Sequence, residues 1–216
     1  MTQHKISRRG FLLGAGAGLA ALGGGLFWGA RSPQISFAEP NFAGGKDHLL
    51  VAYSSRYGST GDVAAAIGKT LQQHRFRVDV RRLSRVEGIA GYRGVVLGSP
   101  VHSGKWLPEA TDFIQQHQDE LAKRPVAYFL TSMTLALTQE VQAVAKIGGA
   151  LTAVRQQFTR IEPVETALFA GALDYRKMSP LMQVMYRIFA ADDRSGDYRD
   201  WKAIAAWAGQ VAVRFS

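Results

Sequence analysis

The chain has 216 residues, 47% of them hydrophobic and 20% charged, with a net charge of +9 and no cysteine. That length holds one domain of about 150–170 residues and an appendage, while the missing cysteines exclude disulfides, thiol redox chemistry and thiolate-held metal or iron–sulfur centres. With Lys5, Arg8, Arg9 and Arg31 of the first 38 residues set aside, 22 basic and 17 acidic side chains leave a scattered +5, too little to indicate nucleic acid as a partner.

Residues 1–38 read as an export address. Ser7-Arg8-Arg9-Gly10-Phe11-Leu12 resembles the twin-arginine consensus, an uncharged glycine-rich stretch runs from Gly10 to Ala30, and Ser36-Phe37-Ala38 ends it with small residues that predict cleavage after Ala38. The alternative is a retained anchor, since the 21 uncharged residues are long enough to span a bilayer. Either way the expectation is delivery by the twin-arginine export machinery to the periplasm or the outer face of the inner membrane. That route implies an already folded cargo, typically one that has acquired a cofactor. Gly16-Ala17-Gly18-Leu19-Ala20-Ala21 fits G-x-G-x-x-A, but no strand precedes it, so it is not a dinucleotide-binding turn. Residues 39–47, with Gly44-Gly45, read as a flexible linker to a domain over 48–216.

Within that domain His48 to Tyr53 is an apolar run of strand length, as a parallel strand buried on both faces requires. A helix follows over Asp62–Gln73, with Val63, Ala66, Ile67 and Leu71 at helical spacing. Strands are predicted at Phe76–Val80, Tyr92–Ser99, Pro125–Thr131 and Val164–Ala172. Helices are predicted at Trp106–Leu121, Gln139–Phe158 and Tyr198–Val213. Strands alternating with helices imply right-handed crossovers and an α/β doubly wound parallel sheet. Five strands favour the order 2-1-3-4-5, whose ligand sits at the carboxyl ends of the strands beside the topological switch point.

The informative loop is Ser54-Ser55-Arg56-Tyr57-Gly58-Ser59-Thr60, between the first strand and the first helix. Four hydroxyls of Ser and Thr, one glycine and a helix N-terminus converge there, and free amides with the positive end of the helix dipole favour a phosphate. One hydroxyl suffices for an ordinary N-cap. G-x-x-x-x-G-K-[ST] is absent, so a nucleoside-triphosphate loop is not indicated. A hydroxyl-lined cradle suits a terminal monophosphate dianion of the kind flavin mononucleotide (FMN) presents.

This loop resembles the phosphate loop of flavodoxin-like proteins, with Ser55, Arg56, Tyr57, Gly58, Ser59 and Thr60 in its phosphate-binding run. Two later loops extend the resemblance. Ser99-Pro100-Val101-His102-Ser103-Gly104 and Thr131-Ser132-Met133-Thr134 stand where that superfamily sandwiches the isoalloxazine ring. The combination of Gly98 to Gly104, Ala170-Gly171-Ala172-Leu173-Asp174-Tyr175 and Asp200-Trp201 is similar to the menaquinone-dependent protoporphyrinogen IX dehydrogenase family, over residues 48–214. The resemblance implies a flavodoxin-like fold, FMN as cofactor, a porphyrinogen-type small molecule as electron donor and a quinone as acceptor. Ser103 and Lys105 flank Gly104 where that family carries further aromatic or basic residues, and the export address contrasts with the family's cytoplasmic side.

His102 is the one histidine in an expected flavin loop, able to hydrogen-bond the ring or relay a proton, with an ordinary exposed loop residue as the alternative. His48, His74 and His117 are isolated, at no metal-binding spacing. Asp62 reads as a helix cap, and Tyr57 and Trp106 as residues packed on the ring or in the core. No Ser/His/Asp triad has motif support. The added segment 175–191 places Arg176, Lys177, Met182, Met185 and Arg187 on a basic, apolar element that suits a membrane surface or a large apolar anion, or else covers the sheet edge. The competing functions are an exported electron carrier, which the basic domain disfavours, and a flavodoxin-like quinone reductase using a nicotinamide donor.

Overall fold

The computed structural model describes residues 35–138, 140–178, 183 and 195–216. The stretch that resembles a twin-arginine consensus and most of the 175–191 segment, including Met182, Met185 and Arg187, lie outside the described residues.

The run Leu49 to Tyr53 has no charged side chain to turn toward water, so it is stable only with both faces covered. It forms β2 (His48–Tyr53), parallel to β3 (Arg77–Arg82) on one side and β4 (Gly94–His102) on the other, with Leu50 opposite Asp79 and Val95. Beyond β4 come β6 (Val126–Ser132) and β7 (Glu165–Ala170), again parallel. The parallel order β3-β2-β4-β6-β7 is the predicted 2-1-3-4-5.

Because successive strand side chains point to opposite faces, each strand feeds two cores. Val51, Tyr53, Val96 and Phe129 pack under α1 (Ser59–Gln73) and α6 (Trp201–Phe215), meeting Ile67, Leu71, Trp207 and Phe215. Leu50, Leu97, Tyr128 and Leu130 face α2 (Pro108–Gln116) and α5 (Val141–Gln157), meeting Ile114, Leu151 and Val154. Gly98 is fixed by this packing: a Cβ there would lie 2.0 Å from the Phe129 ring.

Several boundaries differ from expectation. The supposed flexible linker is a packed strap. Residues Asn41–Phe42 form β1, antiparallel to β3 with Phe42 opposite Val78. The Val80 amide donates to the Pro40 carbonyl at 3.0 Å, the Arg82 guanidinium lies 4.0 Å over the Phe37 ring, and Tyr53 Oη donates to the Ala38 carbonyl at 2.9 Å. The cause is the outer edge of β3, whose backbone groups need partners, together with two phenylalanines that lose water by packing. Gly44-Gly45 serves close approach, since a Cβ on Gly44 would overlap the Phe76 carbonyl.

The helix predicted over Trp106–Leu121 is three elements. Ser103 (φ 52°) and Gly104 (φ 76°) make a two-residue hairpin turn with both residues left-handed, so Lys105–Trp106 return as β5, antiparallel to β4. Pro108 then opens α2, and His117, tilted onto Phe113 at 4.5 Å, separates it from α3 (Gln118–Leu121). A short α4 (Met133–Leu137) follows β6 directly. The fifth parallel strand ends at Ala170. Past Gly171, β8 (Ala172–Leu173) pairs with β9 (Gly196–Asp197) instead of extending the main sheet.

Candidate functional site

At the switch point, where β2 and β4 run side by side but their crossovers leave in opposite directions, the chain leaves the sheet at Ser54 and at Ser99. The Ser54 amide donates to the Gly98 carbonyl at 3.0 Å and its hydroxyl to Ser99 Oγ at 3.1 Å. Ser99 Oγ also accepts the Leu107 amide at 3.0 Å, tying the β4–β5 hairpin to the same point. Both serines are buried. They tie the two loops to each other.

Beyond Ser54 the loop turns at Gly58, which is left-handed (φ 87°) and sits at the N-cap of α1. No side chain caps this helix. Ser55 Oγ accepts the Gly58 amide at 2.9 Å, and the Gly58 carbonyl accepts from Gly61 and Asp62. Among the described residues the amides of Arg56, Tyr57, Ser59 and Thr60 and the hydroxyls of Tyr57 and Ser59 have no acceptor or partner, so the cradle is a set of free donors around a helix N-terminus. A Cβ at Gly58 would meet the Ser36 carbonyl at 2.9 Å and come within 4.0 Å of Lys177 Nζ. The strap and a basic residue from the added segment therefore border the loop.

The other predicted loops converge here. Thr60 Oγ1 and Thr131 Oγ1, both buried, are 2.9 Å apart and link the phosphate loop to the end of β6. One hydroxyl hydrogen bridges that pair, so the other remains available. Ser132 Oγ caps α4 through the Thr134 amide, its carbonyl accepts the Gly171 amide, and Met133 Sδ packs against Gly171. Pro100, Val101, His102, Ser103 and Gly104 form the hairpin on the opposite side. His102 is exposed, with Nε2 at 3.5 Å from Arg56 Nη1, so its neighbour is a cation.

Other expectations change. Asp62 is no cap. Its carboxylate accepts Arg199 Nη1 at 2.8 Å, and the same guanidinium reaches the Ser59 carbonyl at 3.3 Å and both carboxylate oxygens of Asp197 at 2.7 Å. This holds the Asp197 carboxyl below the usual range, through hydrogen bonds from Arg199. Asp200 is the N-cap of α6, accepting the amides of Lys202 and Ala203, and Trp201 stacks with Arg199 at 4.4 Å. Trp106 is a core residue at 5.4 Å from Tyr128, edge to face. Burial pushes the Tyr128 phenol strongly up, and among the described residues neither its hydroxyl nor the Trp106 Nε1 has a partner. Arg176 is exposed and paired with Asp174 at 2.9 Å. Among the described residues no group of His, Asp and Glu could hold a metal ion. Sequence reasoning missed Arg199, because its partners lie 137 and 140 residues away.

Residues 50–196 match the family described as Flavodoxin domain. The protoporphyrinogen IX dehydrogenase [quinone] of Escherichia coli (strain K12) is 23% identical over 172 residues, covering 76% of this chain and 93% of that one. A protein of the same name from Leishmania major is 24% identical over 174 residues, covering 76% and 74%. Among solved structures, a short-chain flavodoxin associated with a bacterial microcompartment superposes with a TM-score of 0.52 at 11% identity, covering 79% of this chain and all of that one. The rubredoxin oxygen:oxidoreductase of Desulfovibrio gigas superposes at 0.50 and 12% identity, covering 80% of this chain and 37% of that larger one. Free amides around an uncapped helix and hydroxyls at the switch point fit the phosphate end of FMN, and with the matched sequence they make this chain a member of the FMN-binding flavodoxin-domain family.

Proposed function

We propose that the protein is an FMN-dependent oxidoreductase that takes electrons from a porphyrinogen-type small molecule and delivers them to a quinone. The observation that carries the reading is the convergence of three loops on one switch point, in a chain that matches 93% of the length of a relative named protoporphyrinogen IX dehydrogenase [quinone]. FMN supplies the redox chemistry; the chain supplies binding and orientation. The amides of Arg56, Tyr57, Ser59 and Thr60 hold the phosphate, and the hairpin at Pro100–Gly104 and the turn at Thr131–Met133 flank the ring. His102 brings the one imidazole of these loops, able to donate or accept a hydrogen bond at the ring. The twin-arginine resemblance supports export to the outer face of the inner membrane, where a membrane surface supplies the quinone. Arg176, Lys177, Met182, Met185 and Arg187 are proposed to meet the substrate or that surface.

The test is the visible spectrum of the purified protein, followed by protoporphyrinogen oxidation with a menaquinone analogue. A flavin spectrum with turnover supports the proposal, and a flavin spectrum without it leaves an electron carrier. Thr60→Asp places a carboxylate beside Thr131 in the cradle and should abolish FMN retention. Undiminished FMN affinity in that variant would refute the phosphate-loop assignment.

A further inference from the structure

We propose that Arg199 is a positioning residue for FMN recognition: it offsets part of the Asp62 charge and anchors the Ser59 carbonyl, so that the opening of α1 opposes the phosphate far less than a bare carboxylate there would. The inference rests on the FMN reading and assigns a role to residues outside the three loops.

Asp62 lies in the first turn of α1, three residues past Ser59, about 4.5 Å along the axis. An acidic residue there ordinarily complements the positive end of the helix dipole. In this helix a phosphate dianion is to occupy that end, and a bare carboxylate so close would compete with it for the same potential, well inside the screening length of about 8 Å at physiological salt. Asp62 is not bare. Its side chain is 44% exposed, but Arg199, whose side chain is only 10% exposed, donates to it at 2.8 Å.

The guanidinium is held with more contacts than a single ion pair needs. Asp197 grips it with both oxygens at 2.7 Å, and the Trp201 ring lies beneath it at 4.4 Å. Such a fork has one orientation, which aims Nη1 at Asp62 and at the Ser59 carbonyl, 3.3 Å away. Ser59 contributes an amide to the cradle, so its peptide is fixed from the carbonyl side. A lysine could supply the charge but not the fork.

The experiment compares FMN with riboflavin, which lacks the phosphate, in the full-length protein. Wild type binding FMN more tightly than riboflavin establishes the parent reading, and failure there sinks that reading first. In Arg199→Gln, FMN affinity should fall about tenfold or more, as for loss of a charge-assisted contact, with riboflavin affinity nearly unchanged. Adding Asp62→Asn should restore most of the FMN affinity. Asp62→Asn alone should raise the FMN-to-riboflavin ratio, by several-fold at most, because Arg199, shared with Asp197, offsets that charge only in part. A parallel loss of both ligands in Arg199→Gln, or no rescue by Asp62→Asn, would overturn the inference. If Arg199→Gln does not fold, Arg199→Lys decides. With the charge kept and the fork lost, a ratio reduced by less than about tenfold supports the inference, and a parallel loss of both ligands overturns it.

Discussion

Gly58→Ala probes the conformation on which the phosphate loop depends. At φ 87° an alanine pays the left-handed penalty of about 1–2 kcal/mol. Its Cβ would also lie 2.9 Å from the Ser36 carbonyl, closer than a carbon and an oxygen settle, so the strap or the loop must yield. Together these put the loss of stability at about 2 kcal/mol, a fall in Tm of about 4–8 °C for a domain of this size. If the loop yields, the amides of Tyr57 and Ser59 on either side turn out of the cradle, and FMN affinity falls more than riboflavin affinity. Gly58→Asn separates the two causes, because asparagine tolerates left-handed backbone while carrying the same Cβ. It should recover most of the stability lost by alanine and retain the contact with Ser36. Thermal unfolding of the flavin-free protein and titration with FMN by fluorescence quenching read both effects. An alanine variant with wild-type Tm and wild-type FMN affinity would refute the reasoning, and equal losses for alanine and asparagine would assign the whole effect to the Ser36 contact.

Three other outcomes are expected. Tyr128→Phe removes a buried hydroxyl that has no partner among the described residues and should raise stability by about 1 kcal/mol, measured by urea unfolding; a loss of that size would show that the hydroxyl is satisfied. Burial, reinforced by Glu39 for Tyr53 and by the Asp79 hydrogen bond for Tyr92, pushes both phenols up to about 12. The unfolded chain releases these protons near pH 10 and the native protein holds them, so their contribution is complete below pH 10 and fades as pH rises toward 12. Unfolding midpoints in Tyr53→Phe and Tyr92→Phe should show a shallower alkaline decline than wild type. Lys177→Met should weaken FMN binding several-fold at low salt and less at high salt, since its ammonium borders Gly58 without a carboxylate partner among the described residues; a salt-independent change would remove Lys177 from the phosphate's surroundings.

The parallel sheet was legible because its interior strands are written as unbroken apolar runs, and the loop that opens α1 because four hydroxyls crowd one helix start. The three loops were legible individually, while the Thr60–Thr131 and Ser54–Ser99 contacts that join them follow only from strand register. β1 escaped notice because two residues carry no periodicity and Gly44-Gly45 reads as flexibility, although the glycines are there for contact with Phe76 and Arg75. Trp106 read as a helix residue because a two-residue turn at Ser103-Gly104 leaves the apolar spacing of Trp106 and Leu107 looking helical. Asp62 read as a cap because its true partner, Arg199, enters from the far end of the chain.

The strap also bears on access to the bond between Ala38 and Glu39. A peptidase acting between Ala38 and Glu39 has to draw several residues on each side into its own cleft as an extended, unpaired chain. In the folded domain the Ala38 carbonyl is occupied by Tyr53, Glu39 accepts the Arg82 amide at 2.9 Å, and the next residues are laced to β3. Hydrolysis at that bond in a folded molecule would therefore require local peeling of the sheet's edge.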